Sequence, residues 1–130
     1  MYTNYIFLLV WAFVRDGGID VTKRPSPTKW SKKEILGHLC DSAIMNIERF
    51  IKIQYEKQPY ALPTYNQGEW VAKPNYQDTP IEEILTLFYD SNKQIIAIIN
   101  NIPDEKESGS FKIITIIWNN ILRNKFSSNT

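Results

Sequence analysis

The sequence predicts an all-α fold in a single domain, and three observations support this prediction. Two segments begin with helix-capping patterns and continue with apolar residues at helical spacing. The apolar stripe of the later segment is wide enough to contact more than one neighbour, which favours a helical bundle over a lone helical hairpin. The length of 130 residues is typical of one domain, here taken as residues 1–130.

Composition and charge argue against several classes of function. The 15 Lys and Arg residues nearly balance the 14 Asp and Glu residues, giving a net charge of +1. We therefore expect no binding to nucleic acid or to an anionic membrane. The single cysteine, Cys40, excludes an internal disulfide framework and a cysteine-based zinc site built from this chain alone. A reducing, cytoplasmic location is the resulting expectation.

The apolar run at 6–14 is the first candidate element. It has nine residues, whereas a membrane-spanning helix needs about 20. No basic residue precedes the run, so it does not resemble a signal peptide. We interpret it as a short core element rather than a targeting segment. Glycines at 17 and 18 and prolines at 25 and 27 make 15–29 a connection.

The second element carries the clearest start signal. Ser31 and Glu34 match a capping box, and Trp30 before the cap is placed to pack on Ile35. The segment Trp30–Arg49 is therefore a capped amphipathic helix, expected to continue to about 55–57. Its predicted apolar face consists of Leu36, Leu39, Cys40, Ala43, Ile44, Ile47, Phe50 and Ile51.

The third element begins at Thr79, which we expect to cap a helix with Pro80 in its first position. It should end at 100–103, where Pro103 follows two asparagines. Asn92 lies within the apolar stripe and is expected to be a hydrogen-bonded polar group of the core. The predicted stripe consists of Ile81, Ile84, Leu85, Phe88, Ile95 and Ile99.

Two further segments are less regular. The connection at 58–78 is about 20 residues long and aromatic-rich, so it either wraps the bundle or contacts a substrate as a lid. The segment 111–118 is rich in β-branched residues and fits a strand or the start of a helix reaching residue 126. We predict a helix, because a lone strand would have no partner in the chain.

His38 is the first candidate for chemistry. It lies roughly 170° from the centre of the apolar stripe, so spacing predicts a solvated polar face that happens to carry a histidine. A metal site typically needs about three or four donors, and His38 with Glu34 or Asp41 supplies two. Cys40 lies on the apolar face, where a thiol is expected to be buried and unreactive. These residues therefore do not define a catalytic group.

Three segments together carry a resemblance to a known family. They are 27–42 (PTKWSKKEILGHLCDS), 65–76 (YNQGEWVAKPNY) and 80–85 (PIEEIL). The combination resembles the DinB-like superfamily, and best matches the branch that includes bacillithiol transferases and metal-dependent hydrolases. The likeness covers about residues 24–104.

This resemblance implies a four-helix bundle that is often a homodimer. It also implies a divalent metal, Zn or Ni, bound by three histidines. His38 matches the first of them, and the other two form a His-x-x-x-His pair on the last helix. Members of this branch are expected to activate a small-molecule thiol or a water for attack on an electrophile.

The chain departs from the family pattern at both ends. The segment 117–126 contains no histidine, and its asparagines are poor substitutes for imidazole. The segment 2–14 is also about half the length expected of a first helix. The leading interpretation is a DinB-like domain with an incomplete metal site, inactive or residual. The alternatives are a metal-dependent thiol transferase or hydrolase using His38 with unidentified ligands, and a helical dimerisation module.

Overall fold

A computed structural model of the protein describes residues 20–103. Its elements are α1 (Lys32–Lys52), α2 (Gln67–Ala72), a 3-10 helix (Tyr76–Asp78) and α3 (Ile81–Asn100). These residues form helices and turns without a strand, so the all-α prediction is confirmed for this part of the chain. The run at 6–14, the element at 111–126 and the count of four helices lie outside the described residues.

Helix α1 begins as its sequence predicts. The Ser31 hydroxyl accepts a hydrogen bond from the Glu34 amide at 3.2 Å, and a Glu34 carboxylate oxygen accepts one from the Ser31 amide at 3.1 Å. Both halves of the capping box are therefore present, and each satisfies an amide that the first turn would leave without an intrahelical partner.

The end of α1 differs from the prediction, because the helix stops at Lys52 rather than at 55–57. The amide of Ile53 still bonds the carbonyl of Arg49 at 2.9 Å, but the next residues form turns. The Gln54 side chain donates to the Phe50 carbonyl at 2.9 Å and takes the place of a further helical amide. The Gln54 side chain thus satisfies a carbonyl of the last turn, so that carbonyl does not require a further helical amide.

Helix α3 ends at Asn100, as predicted, but its start corrects the assignment of Thr79 as a cap. Pro80 precedes the first helical residue, and no side chain caps the helix there. The Thr79 hydroxyl instead donates to the carbonyl of Asn75 at 3.0 Å, within the preceding 3-10 turn. The local turn therefore uses the hydroxyl that the sequence pattern assigns to α3.

The core lies between α1 and α3, which pack against each other. Asn92 is buried in it and donates to the Phe88 carbonyl at 2.8 Å, which confirms its prediction. Two residues of the predicted apolar face, Ile44 and Ile51, remain 38% and 41% exposed. The buried apolar side chains of the core are Leu36, Leu39, Cys40, Ala43, Phe50, Val71, Tyr76, Ile84, Phe88 and Ile95.

The connection between α1 and α3 folds back onto α1. Val71 of α2 is buried in the core, and the Tyr65 hydroxyl lies 2.9 Å from that of Ser42 on α1. The Arg49 guanidinium lies over the Tyr65 ring, 5.8 Å from its centroid. The connection therefore covers α1, as the wrapping-loop interpretation predicts, while contact with a substrate stays a prediction. Among the described helices, none has both the length and the apolar character needed to cross a bilayer.

Candidate functional site

His38 is buried, with 5% of its surface exposed, so the prediction of a solvated polar face is wrong. Its neighbours on the same side of α1 are buried too, including Glu34 and Asp41. The helical wheel places this side opposite the apolar stripe, but it does not show whether other segments of the chain cover this side. Here the segment before α1 and the connection after it both reach this side with polar contacts.

The indole of Trp30 packs against the imidazole of His38. Their ring centroids are 5.0 Å apart and the ring planes are tilted by 39°. Trp30 immediately precedes the helix cap, so the capping box also fixes where this indole lies relative to the first turns of α1. The sequence marked Trp30 as a staple residue on Ile35, and it did not indicate contact with the histidine.

Asp41 is the most deeply buried charged residue among those described, with 1% of its surface exposed. Its Oδ1 accepts a hydrogen bond from the Tyr76 hydroxyl at 2.6 Å. Its Oδ2 is buried and has no hydrogen-bond partner among residues 20–103. Burial raises the pKa of Asp41 to about 6, while the hydrogen bond from Tyr76 opposes that rise.

Tyr76 reaches Asp41 because α1 carries a glycine at the point of contact. A Cβ added to Gly37 would lie 2.1 Å from Cδ2 and 2.3 Å from Cγ of the Tyr76 ring. The ring therefore lies directly on the helix backbone, where any larger residue would displace it. Burial, and then the hydrogen bond to Asp41, raise the pKa of the Tyr76 phenol. Gly37 was the sequence signal for this contact, because a glycine inside a helix often marks the close approach of another segment.

Glu34 belongs to the same side of α1, but both of its oxygens are used. Oε1 accepts from Arg24 Nε at 2.7 Å and from the Ser31 amide at 3.1 Å, and Oε2 accepts from Arg24 Nη2 at 3.0 Å. The hydrogen bonds from Arg24 are the main cause that lowers the pKa of Glu34. Glu34 is therefore held as an ionised carboxylate that pairs with Arg24 and caps α1.

Gln77 joins three segments at the start of α1. Its Oε1 accepts from the Ser31 hydroxyl at 2.6 Å, and its backbone carbonyl accepts from Lys33 Nζ at 3.2 Å. Its Nε2 donates to the Thr22 carbonyl at 2.7 Å. The segment before α1, the helix start and the 3-10 turn are thereby held together.

Cys40 lies on the other side of α1, fully buried in the core, as predicted. Its thiol lies 3.6 Å from the carbonyl of Ile84. Burial raises the pKa of the thiol far above its ordinary value, so the thiolate needed for nucleophilic attack or metal binding is strongly disfavoured.

The described residues fit the implied metal only in part. Between residues 20 and 103, no group of three or more His, Cys, Asp or Glu side chains comes together in a way that could hold an ion. On this side of α1, Glu34 is paired with Arg24, and Asp41 accepts a hydrogen bond from Tyr76. A three-histidine centre cannot be built from residues 20–103, because they contain only His38.

The comparisons with known proteins agree with the resemblance read from the sequence. The family model described as the DinB superfamily matches residues 20–110. That range contains Trp30, His38, Asp41 and Tyr76 and all three described α-helices. Neither the curated proteins nor the solved structures gave a match.

Proposed function

Because the chain belongs to the DinB superfamily, we propose that it is a residual or inactive member with an incomplete metal site. The observation that carries this proposal is the histidine count. These 130 residues contain one histidine, whereas the resemblance implies three. Imidazole is the donor that best suits Zn or Ni in such a site, and the chain offers it once.

The contacts around His38 support a residual role. Glu34 is committed to Arg24, and Cys40 faces the core with a raised thiol pKa, so neither replaces a missing histidine. His38, Asp41 and Tyr76 remain as buried side chains, with the Trp30 indole against His38 and the Tyr76 hydroxyl bonded to Asp41. The hydrogen bond between Asp41 and Tyr76 links the connection to α1, and it stabilises this contact without any metal.

Metal analysis of the purified full chain tests this proposal. The Zn and Ni content of the wild-type protein is compared with that of His38→Ala, after growth with either metal supplied. We expect less than one tightly held ion per chain and no difference between the two proteins. Stoichiometric metal that survives dialysis against a chelator and is absent from His38→Ala would overturn the proposal.

A metal-dependent thiol transferase or hydrolase is the second candidate function. The burial of His38 favours this second candidate. A histidine that was only part of a solvated surface would not be packed against the indole of Trp30. The missing ligands would then come from a second subunit or from residues outside 20–103. Thiol-transfer or hydrolase activity that requires added Zn or Ni and is lost in His38→Ala is the result expected of this candidate.

A helical dimerisation module is the third candidate. Ile44 and Ile51 support it, since they lie two turns apart on α1 and are both more than a third exposed. A second copy of the chain would bury both side chains if this face of α1 formed the interface. Sedimentation of the wild type and of the Ile44→Glu, Ile51→Glu double variant distinguishes a dimer that needs this face from a monomer.

A further inference from the structure

We propose that residues 59–65 form a flap that opens from the side of α1 that carries His38, with Arg49 as its latch, while the rest of the connection stays docked. This goes beyond the proposed function, because it concerns which part of the cover over α1 can move, and it requires no metal. The connection is held unevenly: both ends of the flap are fixed, its middle is exposed, and two side chains of α1 hold it closed.

The flap has a fixed point at each end. Before it, the Gln58 side chain donates to the carbonyls of Ile53 and Glu56 at 2.8 Å and 3.3 Å, which ties the chain to the end of α1. After it, the Asn66 side chain accepts from the Glu69 amide at 3.1 Å and caps α2. A movement can therefore be confined to the residues between these two points.

The part of the connection after the flap is firmly docked. Val71 of α2 and Tyr76 of the 3-10 turn are 2% and 6% exposed and belong to the core. Tyr76 also donates to Asp41, and Gln77 bonds both the start of α1 and the segment before it. The flap can therefore open without undocking α2 or the 3-10 turn.

The flap itself has few such contacts. Its residues are exposed except Tyr60 and Tyr65, which are half-buried. No backbone–backbone hydrogen bond joins 59–65 to another residue of the described part of the chain. The Tyr60 amide bonds the neighbouring Gln58 side chain at 3.3 Å. Segments with few buried apolar contacts and an exposed backbone are those that open locally while the domain stays folded.

Arg49 is the main residue that holds the flap against α1. Its Nη2 donates to the Pro63 carbonyl, and its guanidinium lies over the Tyr65 ring, 5.8 Å from the centroid. Its Nη1 donates to Asn46 Oδ1 at 3.3 Å, a contact within α1 that orients the group. The second contact joins the hydroxyls of Tyr65 and Ser42 at 2.9 Å. The flap is thus closed by two side chains of α1.

The latch is weak enough to release. Pro63 offers Arg49 a neutral carbonyl, and no carboxylate among residues 20–103 forms an ion pair with this arginine. The Arg49 Nε is buried and has no hydrogen-bond partner among the same residues. Leaving a buried donor unsatisfied costs free energy, and this cost disappears once water reaches the guanidinium. The closed flap is therefore favoured by only a small margin.

Opening of the flap uncovers polar groups of α1. Ser42 and Arg49 lie about one and about three turns after His38, so the three residues share one side of the helix. With the flap closed, Ser42, Asn46 and Arg49 are half-buried. In the open state their hydroxyl, amide and guanidinium groups meet solvent. The flap is thus the movable part of the cover over this side of α1.

Chymotrypsin digestion of the folded full chain tests the flap. Cleavage after Tyr60 reports flap opening, and cleavage after Tyr89 of α3 reports unfolding of the core helices. Wild type and Arg49→Ala are compared with the control Glu48→Gln, because Glu48 is next to Arg49 but pairs with Lys52. We expect Arg49→Ala to speed cleavage after Tyr60 about fivefold or more, with no comparable change after Tyr89. Glu48→Gln should behave like the wild type.

The urea dependence of cleavage in the wild type covers the case in which Arg49→Ala does not fold. Local opening exposes less surface than unfolding of the whole domain does. Cleavage after Tyr60 should therefore rise with urea less steeply than cleavage after Tyr89. Equal slopes at the two sites would overturn the inference, because Tyr60 would then become accessible only in the unfolded chain.

Three other results would also overturn it. Wild-type cleavage after Tyr60 as fast as in an isolated peptide of residues 53–68 would mean that the flap has no closed state. Unchanged cleavage after Tyr60 in Arg49→Ala would mean that Arg49 is not the latch. Equal acceleration at Tyr60 and Tyr89 in that variant would mean that Arg49 stabilises the whole domain. None of these results depends on the metal content of the chain, so the proposed function is tested separately.

Discussion

The Tyr76 hydroxyl donates to Asp41 Oδ1 at 2.6 Å, across a sequence separation of 35 residues. This contact joins the connection between the two long helices to the side of α1 that carries His38. It is possible because Gly37 lets the Tyr76 ring lie on the helix backbone. The contact with Asp41 and the docking of the connection on α1 therefore both depend on Gly37 and Tyr76.

Replacing Tyr76 by Phe is expected to lower the free energy of unfolding by about 1–3 kcal/mol, because a buried carboxylate loses its hydrogen-bond donor. In an Asp41→Asn background the same replacement should cost less, about 1 kcal/mol, because the acceptor is then neutral. Urea unfolding of the four proteins in this double-mutant cycle measures the difference. Equal costs in both backgrounds would show that the hydroxyl does not interact with the charge.

Replacing Gly37 by Ala is expected to destabilise the protein by about 1–3 kcal/mol, because the new methyl group overlaps the Tyr76 ring. Gly68→Ala is the matched control. It lies in helix α2 with its nearest side-chain atom 3.6 Å from the added Cβ, so it should be neutral or stabilising by up to about 1 kcal/mol. Thermal unfolding compares the two, and a neutral Gly37→Ala would argue against the tight contact.

The stability difference between wild type and Asp41→Asn should depend on pH. The pKa of Asp41 rises from 3.8 to about 6 on folding, so the folded state holds its proton more tightly than the unfolded state. The wild type therefore loses stability relative to Asp41→Asn as pH rises from about 4 to about 6. This loss in the free energy of unfolding, relative to Asp41→Asn, has an upper limit of about 3 kcal/mol.

Urea unfolding at pH 4, 5, 6 and 7 measures this difference. Comparing the two proteins at each pH removes the contribution of groups that titrate alike in both. A constant difference across the range would mean that the Asp41 carboxyl titrates in the folded protein as it does in the unfolded chain.

Removing Arg24 should affect stability through Glu34. The pKa of Glu34 is lowered in the folded protein, so its contribution to stability is present above its ordinary value of 4.5 and is lost as pH falls through the lowered value. Arg24→Ala should lower the stability only slightly near pH 7, because the arginine side chain is 44% exposed and water screens the ion pair. The cost should shrink in strong acid and in high salt.

Lys52→Ala is the matched control for Arg24→Ala. Its ion pair with Glu48 at 2.7 Å is exposed on both sides and lies within α1, so its loss should lower the stability less than the loss of Arg24 does. Chemical unfolding at two salt concentrations compares the variants. If Arg24→Ala lowers the stability no more than Lys52→Ala does, the contact between α1 and the segment before it adds no stability beyond that of an exposed ion pair.

Structural features that depend only on residues close in the sequence could be predicted from it. The capping box at Ser31 and Glu34 and the end of α3 at Asn100 depend on groups within about one helical turn. The burial of Cys40 follows from its place in the apolar stripe. The early end of α1 and the misassigned cap at Thr79 are also local, but in each a side chain competed with the pattern that the sequence suggested.

The sequence by itself determined where α1 begins, which of its sides meets α3, and that His38 lies away from that side. Only the tertiary structure decided that His38 and Asp41 are buried, because helical periodicity describes one helix and does not show which other segments cover its polar side. Tyr76, docked on Gly37 from far along the chain, and Trp30, placed by the cap, cover it here. The hydrogen bond from Tyr76 to Asp41 Oδ1 lowers the cost of burying that carboxylate, and so a side that looked solvated became the candidate site.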